Sequence, residues 1–284
     1  MTENQLFVKK SNEETEPFSV QKLEQSLRSC GTSKNEIELI INTIQPDIYN
    51  GISSNEIYRK AYALLKNHNR LSASRYSLKR AIFDLGPTGF PFERLVGALL
   101  KEKGYKTKVS VILNGECVTH EIDVLAEKDG NAYAIECKFH SDAKAASNVK
   151  VPLYINSRFL DIQEQWNTNS NNKTHLKQGW LVTNTRFTSD AINYAKCVGL
   201  TLLSWDYPKN NGLKATIDTL ALYPVTTLTT LTKKEKHKLI NNDVVLVKEL
   251  IDATKTMKNI GISQVRIQRA IDEVKKMCQN KLTL

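Results

Sequence analysis

The sequence predicts an α/β protein in three parts: a helical N-terminal domain, a central mixed sheet flanked by helices, and a small helical C-terminal domain. Three observations carry this reading. Helical periodicity dominates residues 1–86 and everything after Pro224. Between them, the turn dipeptides Asn114-Gly115 and Asp129-Gly130 each join runs that read as antiparallel hairpins. After the hairpins, "GWLVTN", "SDAINYAKCVG" and "LTLLSW" read as strand, helix and strand, a spacing that implies a parallel crossover.

The N-terminal domain, residues 1–86, opens with a short basic strand, "LFVKK". "SVQKLEQSLRSC" places Val20, Leu23 and Leu27 at helical spacing, with Ser19 as N-cap and Gly31 past the end. Helices are expected over "NEIELIINTIQPDIY", over "SSNEIYRKAYALLKNH" with a Ser54 cap, and over "SASRYSLKRAIFDLG". "GPTGFP" then supplies two prolines and two glycines in six residues and marks the domain boundary. The central domain, 87–220, begins with the helix "FERLVGALLKEKGYK", whose Phe92, Leu95, Val96, Leu99 and Leu100 share a face. The two hairpins follow, then a helical stretch and the Asn-rich loop "NTNSNNK". Residues 221–284 read as helices over "TKKEKHKLI", "DVVLVKELIDATKTM" and "SQVRIQRAIDEVKKMC".

Composition narrows the function classes. With 40% hydrophobic and 25% charged residues in 284, the chain is ordinary for a globular protein. No apolar run approaches the ~20 residues of a membrane span, and the start resembles no secretory signal, so a cytoplasmic protein is expected. Five scattered cysteines without a Cys-x-x-Cys pair argue against a disulfide framework and a structural zinc site. No His-x-x-x-His pair supports a zinc hydrolase. The net charge of +10 divides as +2, +2 and +6 over the three segments. A basic tail of that kind suits nucleic acid, because each neutralised phosphate releases counterions. The plainer alternative is a solvated helical face.

The second hairpin carries the chemistry. With Asp129 and Gly130 as the central residues of a tight turn, Lys128 meets Asn131 and Asp123 lies opposite Glu136. Opposed Cβ atoms stand about 4.5–5.5 Å apart. Lys138, two residues beyond Glu136, projects from the same face, with Glu121 as its expected partner. Ile122, Val124 and Ala126 with Tyr133, Ile135, Cys137 and Phe139 form the opposite, apolar face. Opposed like charges cost up to about 1 kcal/mol. A divalent cation offsets that cost, because paired carboxylates suit hard Mg²⁺ or Mn²⁺. The alternative is a pair of solvated acids with Lys138 as counter-ion.

These residues resemble the PD-(D/E)xK nuclease superfamily, and within it the Mrr-like restriction endonucleases. The likeness covers about residues 90–207 and rests on "FERLVGALLKEKGY", "EIDVLA", "AIECK" and "QGWLVTNTRFTSDAINYA". Ile122 stands where the family has proline before the aspartate. The resemblance implies that Asp123, Glu136 and the Cys137 main-chain carbonyl bind a catalytic Mg²⁺ or Mn²⁺, that Lys138 orients or activates the attacking water, and that Glu93 completes the set or helps hold a second ion. It further implies a double-stranded DNA substrate and paired sites in a homo-oligomer, a dimer or tetramer. Gln178 and His140 are read as structural. In the tail, the helix pairs around "NND" and "NIGIS" resemble helix-hairpin-helix elements, which grip nucleic-acid backbone.

Residues 8–85 resemble the ATP-cone, a nucleotide-binding module, through "VKKSNEETEPFSVQKLEQSL", "GISSNEIYRKAYALL" and "SASRYSLKRAIFDLG". Val8, Lys10, Glu16, Phe18 and Lys22 fall at that family's spacing, whereas Ser11, Asn12 and Glu13 replace its Arg-Asp-Gly. Lys10 and Lys22 are the remaining candidate phosphate ligands for ATP or dATP. The alternative is a packing or oligomerisation element. Together these expectations describe a metal-dependent DNA endonuclease tuned by ATP or dATP, acting in restriction or anti-phage defence. Two other readings remain: a nucleotide-responsive DNA-binding protein that does not cut, and a repair nuclease acting on branched or damaged DNA.

Overall fold

Short apolar spacings in the first segment fold into a small sheet backed by helices. In the computed structural model, which describes residues 5–10 and 13–279, β1 (Phe7–Lys9) pairs antiparallel with β2 (Thr15–Pro17) and parallel with β3 (Ile52–Ser53). Ser11 and Asn12 lie outside the described residues. The helices are α1 (Val20–Arg28), α2 (Lys34–Ile44), α3 (Ser54–His68), α4 (Arg70–Tyr76) and α5 (Leu78–Phe83). Val8 and Ile52 share a core with Leu27, Ile40, Ile44 and Leu65. Ser19 caps α1 as expected, its hydroxyl accepting from Lys22 N–H at 3.2 Å. The cap of α3 is Ser53, one residue before the expected Ser54: Ser53 is still extended as the end of β3, and its hydroxyl accepts from Glu56 N–H at 3.1 Å.

The central segment runs α6 (Phe90–Glu102), β4 (Lys106–Asn114), β5 (Thr119–Lys128), β6 (Asn131–Lys138), β7 (Ala146–Ser147), α7 (Lys150–Thr168), β8 (His175–Thr183), β9 (Arg186–Phe187), α8 (Ser189–Val198) and β10 (Thr201–Leu203). Its five-stranded sheet has the order β10-β8-β6-β5-β4. The two hairpins make β4, β5 and β6 antiparallel, and the crossover makes β6, β8 and β10 parallel, so the sheet is mixed as the sequence predicts. Asp129 and Gly130 have φ of 50° and 73°, the positive values that a type I′ turn requires, and Lys128 pairs with Asn131.

Helices cover both faces. Val124, Ala126, Ile135 and Val182 pack with Phe92, Leu95, Val96 and Leu99. Leu125, Ala132, Ala134 and Leu176 pack with Phe159 and Ile162 of α7. Ile122 joins this second cluster and not the Val124 face on which alternation placed it. The cause is local. The β4–β5 ladder passes from Val109↔Val124 to Val111↔Ile122 without pairing Ser110 to Asp123, and Ser110 sits at φ 54°. Such an irregularity changes the phase of the alternation.

The last segment contains α9 (Leu213–Leu220), α10 (Lys233–Asn241), α11 (Thr254–Asn259) and α12 (Gln264–Gln279). The helix expected over "DVVLVKELIDATKTM" is broken. Val244 to Val247 are all buried, which no single helical face can achieve. Instead Val225 N–H donates to Val245 O at 2.8 Å and Val247 N–H to Tyr223 O at 2.9 Å, and a short 3₁₀ turn, Val247–Ile251, precedes α11. One apolar core runs from Leu78 and Ile82 of α5 through α6 to Tyr223, Met257, Val274 and Met277, so both expected boundaries are bridged by packing.

Candidate active site

The β5–β6 ladder is recorded from Lys128↔Asn131 to Val124↔Ile135, which makes Asp123 and Glu136 the next residues to face each other. There the strands part. The amide N–H of Cys137 donates to Asp123 Oδ2 at 2.6 Å, so a carboxylate takes up a main-chain group where the ladder ends. The unpaired step at Ser110 lies directly across from Asp123 in β4. The same irregularity therefore moves Ile122 and leaves Asp123 out of the β4–β5 ladder.

Glu136 is 9% exposed. Its Oε2 accepts from Arg158 Nη1 of α7 at 2.8 Å, while its Oε1 is buried without a hydrogen-bond partner. Burial and then the Asp123 charge push the Glu136 carboxyl up to about 8, against the pull of Arg158. Asp123 is raised by burial, which its bond from Cys137 N–H and the charge of Arg158 oppose. Glu93, in the first turn of α6, is pushed up to about 7 by burial and then by Asp123 and Glu121. Three acids thus share a desolvated zone with one internal cation. Among the described residues, no three His, Cys, Asp or Glu side chains gather tightly enough to hold a metal ion. The buried, unpartnered Oε1 of Glu136 beside a second carboxylate fits a hard divalent cation.

Lys138 ends β6 and is exposed. Its expected partner, Glu121, is engaged elsewhere: Glu121 pairs with Ile112 in β4 and its carboxylate accepts from Ser110 Oγ at 2.8 Å. The strand instead pairs with β8, Lys138 opposite Thr183. His140 and Gln178, read from the sequence as structural, are both hydrogen-bonded within the central segment. His140 N–H donates to Asn184 Oδ1 at 2.8 Å, and Gln178 Nε2 donates to Gly199 O at 2.7 Å.

Sequence reasoning missed the residues that support Glu136. Arg158 also donates to the Glu121 carbonyl, lies 5.5 Å from the Tyr154 ring, and has Nε 3.5 Å from His120 Nδ1. His120 Nε2 meets Asp161 Oδ2 at 2.6 Å, and this bond, followed by that from Cys117 N–H, lowers the Asp161 carboxyl to about 2. The available signal was an Arg and an Asp beside Ile155, Phe159 and Ile162, the buried positions of α7. Asp161 also binds the β4–β5 turn through Cys117 N–H at 2.8 Å, and a Cβ on Gly115 would stand 2.7 Å from Asp161 Cγ. Gly115→Ala is therefore expected to displace Asp161 and lower Tm by about 5 °C, measured by thermal unfolding.

Lys10 and Lys22 are brought together in the N-terminal segment, but onto a carboxylate. Glu16 accepts from Lys10 at 2.6 Å and from Lys22 at 3.0 Å, and these bonds lower its pKa. Phe18, Tyr58 and Tyr76 line the same hollow, and Tyr58 stacks on Tyr76 with centroids 5.1 Å apart. Glu13 reaches Lys144 of the central segment at 3.7 Å.

Residues 87–206 match a family described as restriction endonuclease, the Mrr catalytic domain. Residues 223–278 match a family described as AF1548-like, C-terminal. The chain is 37% identical over 180 residues to an uncharacterized protein of Archaeoglobus fulgidus, a match spanning 63% of this chain and 97% of that one. It is similar to a crystal structure titled as a protein of unknown function, AF1548, with 34% identity, a TM-score of 0.55, and coverage of 68% of this chain and 99% of the other. The matched central domain is that of a nuclease, which makes DNA the substrate class to test. No helix among the described residues is long and apolar enough to cross a membrane.

Proposed function

Because the chain belongs to the AF1548-like family and carries a restriction-endonuclease domain over residues 87–206, we propose that it is a metal-dependent endonuclease hydrolysing phosphodiester bonds of double-stranded DNA. The observation that carries the reading is the buried Glu136, with one oxygen unpartnered, next in register to Asp123. Asp123, Glu136 and the Cys137 carbonyl would hold Mg²⁺ or Mn²⁺. Such an ion lowers the pKa of bound water, polarises the phosphoryl oxygen and stabilises the leaving oxyanion. Lys138 supplies a positive charge that favours hydroxide beside the scissile phosphate. Arg158 holds Glu136 in place, and Glu93 adds negative charge that draws in the cation. A cleft of about 490 Å³ opens at the start of α6, walled by Thr88, Phe90, His237 and Asn241.

The Lys10–Lys22 hollow, with its aromatic walls, suits ATP or dATP as a regulatory ligand, and a phosphate there would displace Glu16 from the two lysines. Replacing both lysines by alanine is expected to weaken ATP binding at least about tenfold, roughly the value of one charge-assisted contact, as measured by calorimetry. Cutting both strands calls for two sites, hence a dimer or tetramer. Restriction or anti-phage defence is the setting such an enzyme suits.

The test is incubation of the purified protein with modified and unmodified plasmid and Mg²⁺, with and without ATP or dATP, beside Asp123→Ala and Lys138→Ala. Cleavage lost in both variants supports the enzyme. A specific feature favours the non-cutting alternative: Arg158 already provides Glu136 with a counter-charge. Plasmid left intact under every nucleotide, yet bound, would select that DNA-binding reading, and cleavage confined to branched or damaged DNA would select repair.

A further inference from the structure

The end of β8 carries three buried polar side chains in a row: Thr183 and Asn184, both 0% exposed, and Thr185 at 5%. Polar groups so placed destabilise a core unless each is bonded. Two of them spend their bonds on the main chain that leaves β6. Thr183 Oγ1 donates to the Lys138 carbonyl at 2.7 Å. Asn184 Oδ1 accepts from His140 N–H at 2.8 Å, and Asn184 Nδ2 donates back to the His140 carbonyl at 2.8 Å. This two-pronged bond does with a side chain what one more step of ladder would do with backbone. His140 Nε2 meets Ser147 Oγ at 3.1 Å, which ties the same loop to β7.

By contrast, the Lys138 ammonium has no hydrogen-bond or ion-pair partner among the described residues. Its Cα–Cβ direction, and so the region its four-carbon stem can sweep, is set by the backbone alone. That backbone is fixed from β8, 45 residues further along the chain. From this we infer that Thr183 and Asn184 are positioning residues that aim Lys138 at the reacting centre. The inference rests on the nuclease reading for what Lys138 does, and on geometry alone for how Lys138 is held.

The experiment compares Asn184→Ala and the isosteric Thr183→Val with the wild-type protein. Single-turnover DNA cleavage is expected to fall about 10²-fold in Asn184→Ala and about tenfold in Thr183→Val, the scale of a misplacement near 1 Å. DNA affinity measured in Ca²⁺ should stay within about twofold, because neither variant touches Asp123 or Glu136, and Mn²⁺ affinity of the free protein should fall far less than the cleavage rate, since only the Cys137 carbonyl of the proposed donors adjoins Lys138. A purely structural role would instead lower binding and stability together. An independent readout is reductive ¹³C-methylation of the lysines, with the Lys138 resonance identified by its loss in Lys138→Arg. That resonance should shift and broaden in both variants. Wild-type cleavage rates with an unmoved Lys138 resonance overturn the inference. Should the wild-type protein leave every DNA intact, the nuclease reading falls, and the Lys138 resonance still decides whether the clamp exists.

Discussion

Glu136→Gln is expected to abolish DNA cleavage and to make the metal-free protein more stable. The two effects share one cause. Burial and Asp123 hold the Glu136 carboxyl up at about 8, against about 4.3 for a free glutamate. Between roughly pH 4.5 and 8 the folded chain keeps a proton that the unfolded chain has released, so stability is greatest below the unfolded value and is lost as pH rises through the folded one. Ionised at alkaline pH, this side chain opposes folding by on the order of a few kcal/mol. Glutamine carries no charge, and its amide oxygen can still accept from Arg158. In EDTA, the variant should therefore exceed the wild type by about 1–3 kcal/mol at pH 8 and match it near pH 5. Mg²⁺ should stabilise the wild type by mass action and leave the variant unchanged. Cleavage should fall about 10³-fold or more, because the ion supplies several kcal/mol of transition-state stabilisation. A stability difference that does not vary with pH, or plasmid nicking by Glu136→Gln at a tenth of the wild-type rate, would sink the account of a buried carboxylate kept ready for a cation.

Asp123 and Glu136 were legible because one short-range signal controlled them. Asp129-Gly130 permits few turn types, the turn sets the register, and the register sets what faces what. The supports of the pair were not legible, because they arrive from far along the chain. Arg158 follows Glu136 by 22 residues, on a helix whose approach only the folded crossover determines. Asn184 closes on His140 across 44 residues. The unpaired Ser110 carries no composition signal, since serine at positive φ is set by its surroundings. The buried run Val244 to Val247 read as helix within a longer amphipathic pattern, and only its pairing with residues 223 to 225 overrode that propensity. Strands of two or three residues, such as β2 and β3, are too short for any period to register.

The second large effect is expected at Glu273. This α12 residue is 7% exposed and collects four donors: Ser74 Oγ at 2.9 Å, Thr229 N–H at 2.8 Å, Thr229 Oγ1 at 2.9 Å and Thr230 N–H at 3.0 Å. Ser74 belongs to α4, so one carboxylate ties the N-terminal segment to the C-terminal helix through the 229–230 turn. Glu273→Ala leaves these donors without their acceptor in a buried site, at a cost of about 3–5 kcal/mol, read as a lower urea midpoint. Ser74→Ala removes one donor and its matching demand, and should cost only about 1 kcal/mol. In the Glu273→Ala background that second substitution should cost less, because only the bond from Ser74 Oγ to the Arg70 carbonyl, at 3.0 Å, then remains to be lost. The same helix bears on regulation: Tyr76, two residues after Ser74, lines the Lys10–Lys22 hollow. If occupancy of that hollow is passed to the rest of the chain through α4, Glu273→Ala should also flatten the response of DNA cleavage to ATP or dATP, while ATP still binds. An unchanged urea midpoint would show that the four-donor cluster does not hold the segments together. An unchanged nucleotide response in a weakened protein would show that the signal takes another route.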